Sequence, residues 1–384
     1  MRLGIDASSI RGGGGVTHLL ELLRAARPRE HGFEQVLVWG GAWTLDQLPS
    51  QPWLTLAHEP LLDGPQLTRL FWQEFRLTTL ARHACDILLA PGGLYQGSFH
   101  PYVSMSQNLL PFASDNPNRY GLSWGGLRML LLRRRQARSF SQADGVIFLT
   151  QYAAEVVRRH LPPLNSRTAV IPHGVQREFF RPPQPITTFS PQRPVILLYV
   201  SWIGPYKHQF EVAQAVAELH CEGLPVRLNL VGPAEPKARE RLQRELRRLD
   251  PAGAYLAYLG PFPYEEMIRL YHGADLFVFA SGCETISMPL MEAMASGLPI
   301  ACSDRGPLPE VLRDAGVYFN PADAKDIANS LRKLIRSPEL RSRCANLAYH
   351  LAKPRSWKRC ADETFAFIKK VADDYTIKIK EKSI

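Results

Sequence analysis

Two glutamates eight residues apart, Glu284 and Glu292, lie on either side of a helix start in the stretch CETISMPLMEAMASGLPIACSD, residues 283–304. Ser287 is an N-cap by type, Pro289 is tolerated in a first turn, LMEAMA supplies strong helix formers, and Gly297 suits the position just past a helix end. The apolar run DLFVFA precedes this stretch and LPIACS closes it. A helix is therefore predicted to begin near residue 288, directly after a strand's carboxyl end. In a parallel sheet that end is where ligands bind, and the helix N-terminus there offers unpaired N–H groups to a phosphate. Carboxylates beside a phosphate repel it unless each accepts hydrogen bonds from hydroxyls. The pattern thus points to a ligand with sugar hydroxyls around a pyrophosphate, one carboxylate addressing a ribose and the other a hexose. Two solvated helix-surface glutamates are the plainer reading of the bare pair, and the flanking strands and the PLMEAMASGLP run weigh against it.

A second constellation, ASSIRGGGGVTHLLELLRAAR, puts Gly12 to Gly15 between a strand and a helix. With no side chains in the way, backbone N–H groups there can approach a phosphate, or the loop can move. No Gly-Lys-Ser/Thr follows, so it is not a P-loop, and the spacing of a dinucleotide fingerprint is not kept. A flexible surface loop is the alternative.

The elements that must position these residues alternate along the chain. RLGIDA, QVLVWG, WLTLAH, DILLA, PYVSMS and GVIFL read as strands in the first half, and VILLYV, VRLNLV, AYLAYLG, DLFVFA, LPIACS and GVYF in the second, with helical patterns between them. Such alternation predicts parallel sheets wrapped in helices. The proline-dense segment from Asn165 to Pro194 reads as a linker. The predicted architecture is α/β, with two Rossmann-like, doubly wound domains facing across a cleft. Residues 1–180, joined by 362–384, form the first domain and 181–361 the second. From Arg355 to Asp374, helical spacing of Trp357, Ala361, Phe365 and Ile368 predicts an amphipathic C-terminal helix, crossing back to the first domain. The last residues, TIKIKEKSI, read as a frayed end.

The chain has 384 residues, 45% hydrophobic and 21% charged, enough for two cores. Its first residues turn to aspartate and glycine where a secretory signal needs an apolar run, and no stretch approaches a membrane span, so a cytoplasmic protein is expected. Six scattered cysteines form no metal-ligand spacing and read as reduced thiols. No metal site is expected. The formal charge of +10 calls for an anionic partner. Arg128 lies within the apolar LRMLLL, and Arg133, Arg134, Arg135 and Arg138 follow it, a combination suited to peripheral contact with anionic membrane on the inner face of the cell, with a solvated helix face as the alternative.

The motif strand–E-x-x-x-x-P-L-x-E-A-M-A-x-G-x-P resembles the signature of retaining glycosyltransferases of family 4, the group 1 enzymes with the GT-B fold. This resemblance implies a retaining, metal-independent hexosyltransferase needing no cofactor. It would move a hexose from a nucleoside-diphosphate sugar to a saccharide or lipid-linked acceptor, in surface polysaccharide synthesis. YVSWIGPYKHQFEVAQAVAEL is similar to the family's first strand–loop–helix of the donor domain, which implies that Lys207 contacts the donor diphosphate; Trp202 stands where many members carry an arginine. By the same resemblance Glu284 and Lys207 are catalytic, with Glu284 orienting the donor sugar. Glu292, Thr285, Ile286, Ser287, Gly14 and Gly15 would hold the donor, and backbone near Gly232 and Phe262 its base. PYVSMSQNLLPF resembles a segment where many members have a histidine; Gln107 and Asn108 occupy it here, on the acceptor side, and their amides exclude general-base catalysis by that residue. The substitutions at Trp202 and Gln107 leave a second reading open, a non-catalytic scaffold that binds nucleotide sugars. No helix-turn-helix, zinc-finger or RRM signature supports nucleic acid as a partner.

Overall fold

The computed structural model describes residues 1–113, 124–164, 166–185 and 188–382, and divides into two compact units, Met1–Gly174 with Trp357–Ile384, and Val175–Ser356. In the first unit, strands β1 (Arg2–Asp6), β2 (Gln35–Gly40), β3 (Leu54–His58), β4 (Ile87–Ala90), β5 (Tyr102–Ser106), β6 (Gly145–Phe148) and β7 (Arg167–Val170) form one sheet in the order β3-β2-β1-β4-β5-β6-β7. In the second, β8 (Val195–Val200), β9 (Val226–Val231), β10 (Leu256–Gly260), β11 (Leu276–Phe279), β12 (Ile300–Ser303) and β13 (Gly316–Phe319) run β10-β9-β8-β11-β12-β13. Every pairing is parallel. Helices on both faces explain why the central strands read as unbroken apolar runs instead of alternating ones. Leu3 faces Val36 and Ile87 in register, and Leu197 faces Leu228 and Leu276, all of them fully buried.

Each sheet reverses strand order beside its first strand, between β1 and β4 and again between β8 and β11. Those two switch points are where the loops after adjacent strands part and leave room for a ligand. They carry the constellations singled out above.

Three differences from the sequence reading have local causes. The segment read as a linker contains β7, whose four residues RTAV pair with β6 at the sheet edge and are too short and too mixed in polarity to stand out; Asn165, Ile186 and Thr187 of that segment lie outside the described residues. The divide falls at Gly174, not at 180, because Val175 pairs with Ser356 and the Phe179 ring packs against Tyr264 and Tyr271 of the second unit. The return crossing falls at Trp357, not after 361, because the Trp357 ring packs on His18 and His173 in the first unit. From there the C-terminal helix runs Trp357–Lys382, burying Trp357, Ala361, Phe365 and Ile368 as the spacing predicts. It continues to Lys382, into the segment expected to fray, whose last two residues lie outside the described ones.

Candidate functional site

The switch point of the second unit brings two loops together. The chain leaving β8 turns through a short 3-10 segment, Pro205–Lys207, into the helix Gln209–Cys221, with His208 in the left-handed region at φ 52°. The chain leaving β11 passes Glu284 and enters the helix Met288–Ala295. Gly282 N–H donates to the Tyr206 carbonyl at 2.7 Å and ties the loops to each other. Across them the Lys207 ammonium meets Glu284 Oε1 at 2.5 Å, with side-chain exposures of only 11% and 14%. The lysine backbone is held as well: its N–H donates to Gly204 O, and its carbonyl accepts from the Tyr199 hydroxyl. The ammonium also lies 5.1 Å from the Tyr206 ring centre and 5.8 Å from that of Phe279. A charge this enclosed is stable only because its counter-charge and the ring faces are in place. A solvated surface lysine has none of these.

The helix start is built as its sequence predicts. Ser287 Oγ accepts the Leu290 N–H at 3.2 Å, Pro289 occupies the first turn, and Gly297 follows the end at φ 66°. Thr285, Ile286 and Ser287 are buried beside Glu284, so the first-turn amides and the Lys207–Glu284 pair border one position at the sheet's carboxyl edge. The loop after β12 runs alongside, since a Cβ on Gly306 would lie 3.8 Å from Glu284 N. It carries Arg305, a cation the sequence reading missed, 53% exposed at its side chain and paired with Asp304 at 3.1 Å and with Asn320 at 3.3 Å.

Glu292 sits one turn deeper in a separate setting. Its two oxygens accept hydroxyl hydrogen bonds, one from Tyr264 and one from Tyr271, each at 2.9 Å. Burial pushes its carboxyl up to about 7, against the pull of those two hydrogen bonds. Sequence reasoning missed both tyrosines. Their signal was the seven-residue spacing in YEEMIRLYHG, two turns that put both on one helix face.

Gly232 also has a backbone role of its own. Its φ of 137° and its approach to Ser201, whose carbonyl a Cβ would meet at 2.1 Å, demand glycine. Its N–H already donates to Gly260 O, and its carbonyl accepts from Tyr258. The amide is therefore committed to joining β9 with β10 and is not available to a base. Phe262 is half-buried on the following loop. Trp202 is 38% exposed, leaning toward Tyr206 at 6.1 Å between ring centres.

In the first unit the glycines form no separate loop. The helix Gly13–Ala25 already includes Gly14 and Gly15, with Gly12 as a cap that makes no side-chain hydrogen bond. The first-turn N–H groups remain exposed donors, now as a helix N-terminus. Gln107 reaches the same place: its Oε1 would lie 3.6 Å from a Cβ on Gly15. Asn108 is turned to its own backbone, accepting from Leu110 N–H at 3.1 Å. Of the two nearby histidines, His100 pairs with Asp144 at 2.7 Å, and His173 is buried against His18. Among the described residues no three His, Cys, Asp or Glu side chains gather as a metal site would require, and no helix is long and apolar enough to cross a membrane.

Comparison with known proteins agrees with this geometry. Residues 181–351 match the family described as glycosyl transferases group 1, and residues 12–179 match glycosyltransferase family 4, so the two matches together span most of the chain. O-antigen chain mannosyltransferase B of Escherichia coli is 34% identical over 110 residues, 29% of this chain and 29% of that protein. The MMP alpha-(1->4)-mannosyltransferase of Mycolicibacterium hassiacum is 31% identical over 235 residues, 60% of this chain and 53% of that protein. The chain thus spans about half or less of the curated relatives it matches. Sucrose-phosphate synthase from Thermosynechococcus elongatus superposes with a TM-score of 0.76 at 16% identity, covering 97% of this chain and 99% of that one, a likeness of fold.

Proposed function

The chain belongs to the group 1 glycosyltransferases, and from that premise we propose that it transfers a hexose from a nucleoside-diphosphate sugar to a saccharide or lipid-linked acceptor, with retention of configuration. The observation that carries this reading is the enclosed Lys207–Glu284 pair, at the carboxyl ends of two adjacent central strands and beside a helix N-terminus. The named activities of the two mannosyltransferase relatives support a hexose donor, and that of the E. coli relative supports a role in surface polysaccharide synthesis.

On this reading the pair opens when donor binds. Glu284 turns to the sugar hydroxyls, and Lys207 turns to the diphosphate. The bond from the sugar's anomeric carbon to the diphosphate oxygen breaks, and a new bond forms on the same face to the acceptor hydroxyl. The acceptor proton passes to the departing phosphate oxygen. Lys207, with the amides of Thr285, Ile286 and Ser287, stabilises the charge that builds on the leaving group. No metal or cofactor takes part in the proposed steps. Glu292 receives the ribose hydroxyls, which replace or join the tyrosine hydroxyls on its oxygens. In the first unit, considered by itself, the amides of Gly14 and Gly15 and the carboxamide of Gln107 are suited to hydrogen-bond the phosphate or hydroxyl groups of a ligand.

The test is transfer from a panel of nucleotide sugars to saccharide acceptors, with product configuration read by proton NMR. An axial or equatorial linkage matching the donor supports the reading, and an inverted product contradicts it. Donor binding with no transfer to any acceptor would favour the nucleotide-sugar-binding scaffold.

A further inference from the structure

Two helices of the first unit carry an exposed apolar face that the transferase reading does not use. One helical run comprises Gln66–Phe71, a π turn at Trp72–Arg76, and Leu77–Ala84. Its inner side is anchored by Trp72, whose indole N–H donates to Glu59, and by Gln73, whose amide donates to the buried Asp6. Its outer side presents Leu67, Phe71 and Phe75 at four-residue spacing, exposed by 78%, 53% and 63%. The two phenyl rings lie 5.0 Å apart, so they form one apolar ridge. A well-anchored helix that keeps large apolar side chains in water marks an interaction surface.

The helix Trp124–Gln142 adjoins it. Arg135 is 4.0 Å from Glu74, and Phe75 and Glu74 line a groove together with Arg138 and Gln142. On its outer face Leu127 and Leu131, about half exposed, are followed by exposed Arg134 and Arg138, all within one helical stripe. The two helical segments, 66–84 and 124–142, contain eight arginines and a single acidic residue, Glu74.

We propose that this face seats the protein on an anionic lipid bilayer, with the phenylalanines and leucines entering the acyl boundary and the arginines pairing with headgroup phosphates. Charge selects this occupant. A second copy packed face to face would set arginines against arginines. An acidic nucleic acid would engage the arginines and leave Leu67, Leu127 and Leu131 in water. The surface alone supports the proposal, which is independent of the chemistry assigned to the second unit.

The test is co-sedimentation of the full chain with vesicles of pure phosphatidylcholine and with vesicles containing phosphatidylglycerol. Binding is expected to the anionic vesicles and not to the neutral ones, weakening as salt rises. Arg134→Ala with Arg138→Ala is expected to weaken it about 25-fold, at roughly fivefold per arginine. Phe71→Ser with Phe75→Ser is expected to weaken it at least as much. All four side chains are exposed or partnered only at the surface, and unchanged thermal melting in both variants confirms that the fold is kept. Equal affinity for both vesicle types, or no sedimentation with anionic vesicles, overturns the proposal. Salt-sensitive binding to an RNA oligonucleotide without vesicle binding overturns it too, in favour of nucleic acid. Nucleoside-diphosphate calorimetry on the same variants keeps this outcome separate from the transferase reading.

Discussion

The molecule contains the same switch point twice, and the two copies are furnished differently. Between β8 and β11 lies an enclosed ion pair, Lys207 with Glu284, next to a capped helix start and a buried carboxylate held by two tyrosines. Between β1 and β4 lie glycine amides and a neutral carboxamide, with Gln107 near Gly15, and the buried carboxylate there, Asp6, is engaged by Ser8 N–H and the Gln73 amide, with no ammonium or guanidinium on it among the described residues. Topology repeats the position, and side-chain chemistry distinguishes the two copies. A charge-bearing site suits a diphosphate that gains charge as it leaves. A site of backbone donors and amides suits hydroxyl-rich ligands recognised by shape.

The sharpest way to break this comparison is to remove the cation from one copy. Lys207→Ala is expected to lower transfer by about 10³-fold while the chain stays folded, read by initial rates at saturating donor. Gln107→Ala in the other copy should cost far less. A comparable loss from both would mean that the charge is not what distinguishes them.

Acid and base should act on the two units in opposite directions. Burial holds His18 down to about 4, and among the described residues neither of its ring nitrogens has a hydrogen-bond partner. Unfolded histidine takes up its proton near 6.5, so the first unit is expected to lose stability as pH falls from about 6.5 toward 4, by roughly 3 kcal/mol at the lower limit. Glu292 has the opposite sign. Its raised carboxyl gives stability that is complete below the unfolded value and is lost as pH rises through about 7. Chemical denaturation across this range, with a tryptophan or proteolysis readout for each unit, checks both slopes.

Glycines sharpen the comparison further. Gly232→Ala meets backbone at 2.1 Å in a left-handed conformation and should destabilise the second unit by about 2–3 kcal/mol. Gly12→Ala meets nothing within 4 Å on an extended backbone and should leave stability within about 0.5 kcal/mol. Any loss of activity there reports on ligand approach alone. A further expected effect is about a tenfold gain in affinity for an intact nucleotide sugar between about pH 6 and 8, as Glu292 ionises to accept ribose hydroxyls. The donor's own diphosphate does not titrate in that window. Glu292→Gln should flatten the dependence.

The same contrast explains what could be read in advance. Twelve strands were legible because each, the edge strands β3, β10 and β13 included, contains an apolar run, and β7 was not because RTAV is too short and too mixed in polarity to give that signal. In the second unit the helix start was legible to the residue, since cap, proline and terminal glycine act within a few positions of one another. The tyrosines on Glu292 come from another helix, and local pattern does not encode that contact. At Gly232 the structure adds a reason for glycine that the sequence does not show, the close backbone approach of Ser201. The exposed Leu67–Phe71–Phe75 ridge was invisible because the same spacing normally faces a core. The first unit's candidate residues were less legible because amides and glycines carry no motif as specific as a long charged signature.

The account depends most on the second unit holding a nucleoside-diphosphate sugar, and calorimetric titration of UDP, GDP, ADP and their common sugar conjugates into the wild type and Glu292→Ala tests this directly. Selective binding of one nucleoside diphosphate, weakened at least about tenfold in the variant, is the predicted result. Absence of binding to all of them in the folded wild type would contradict the account.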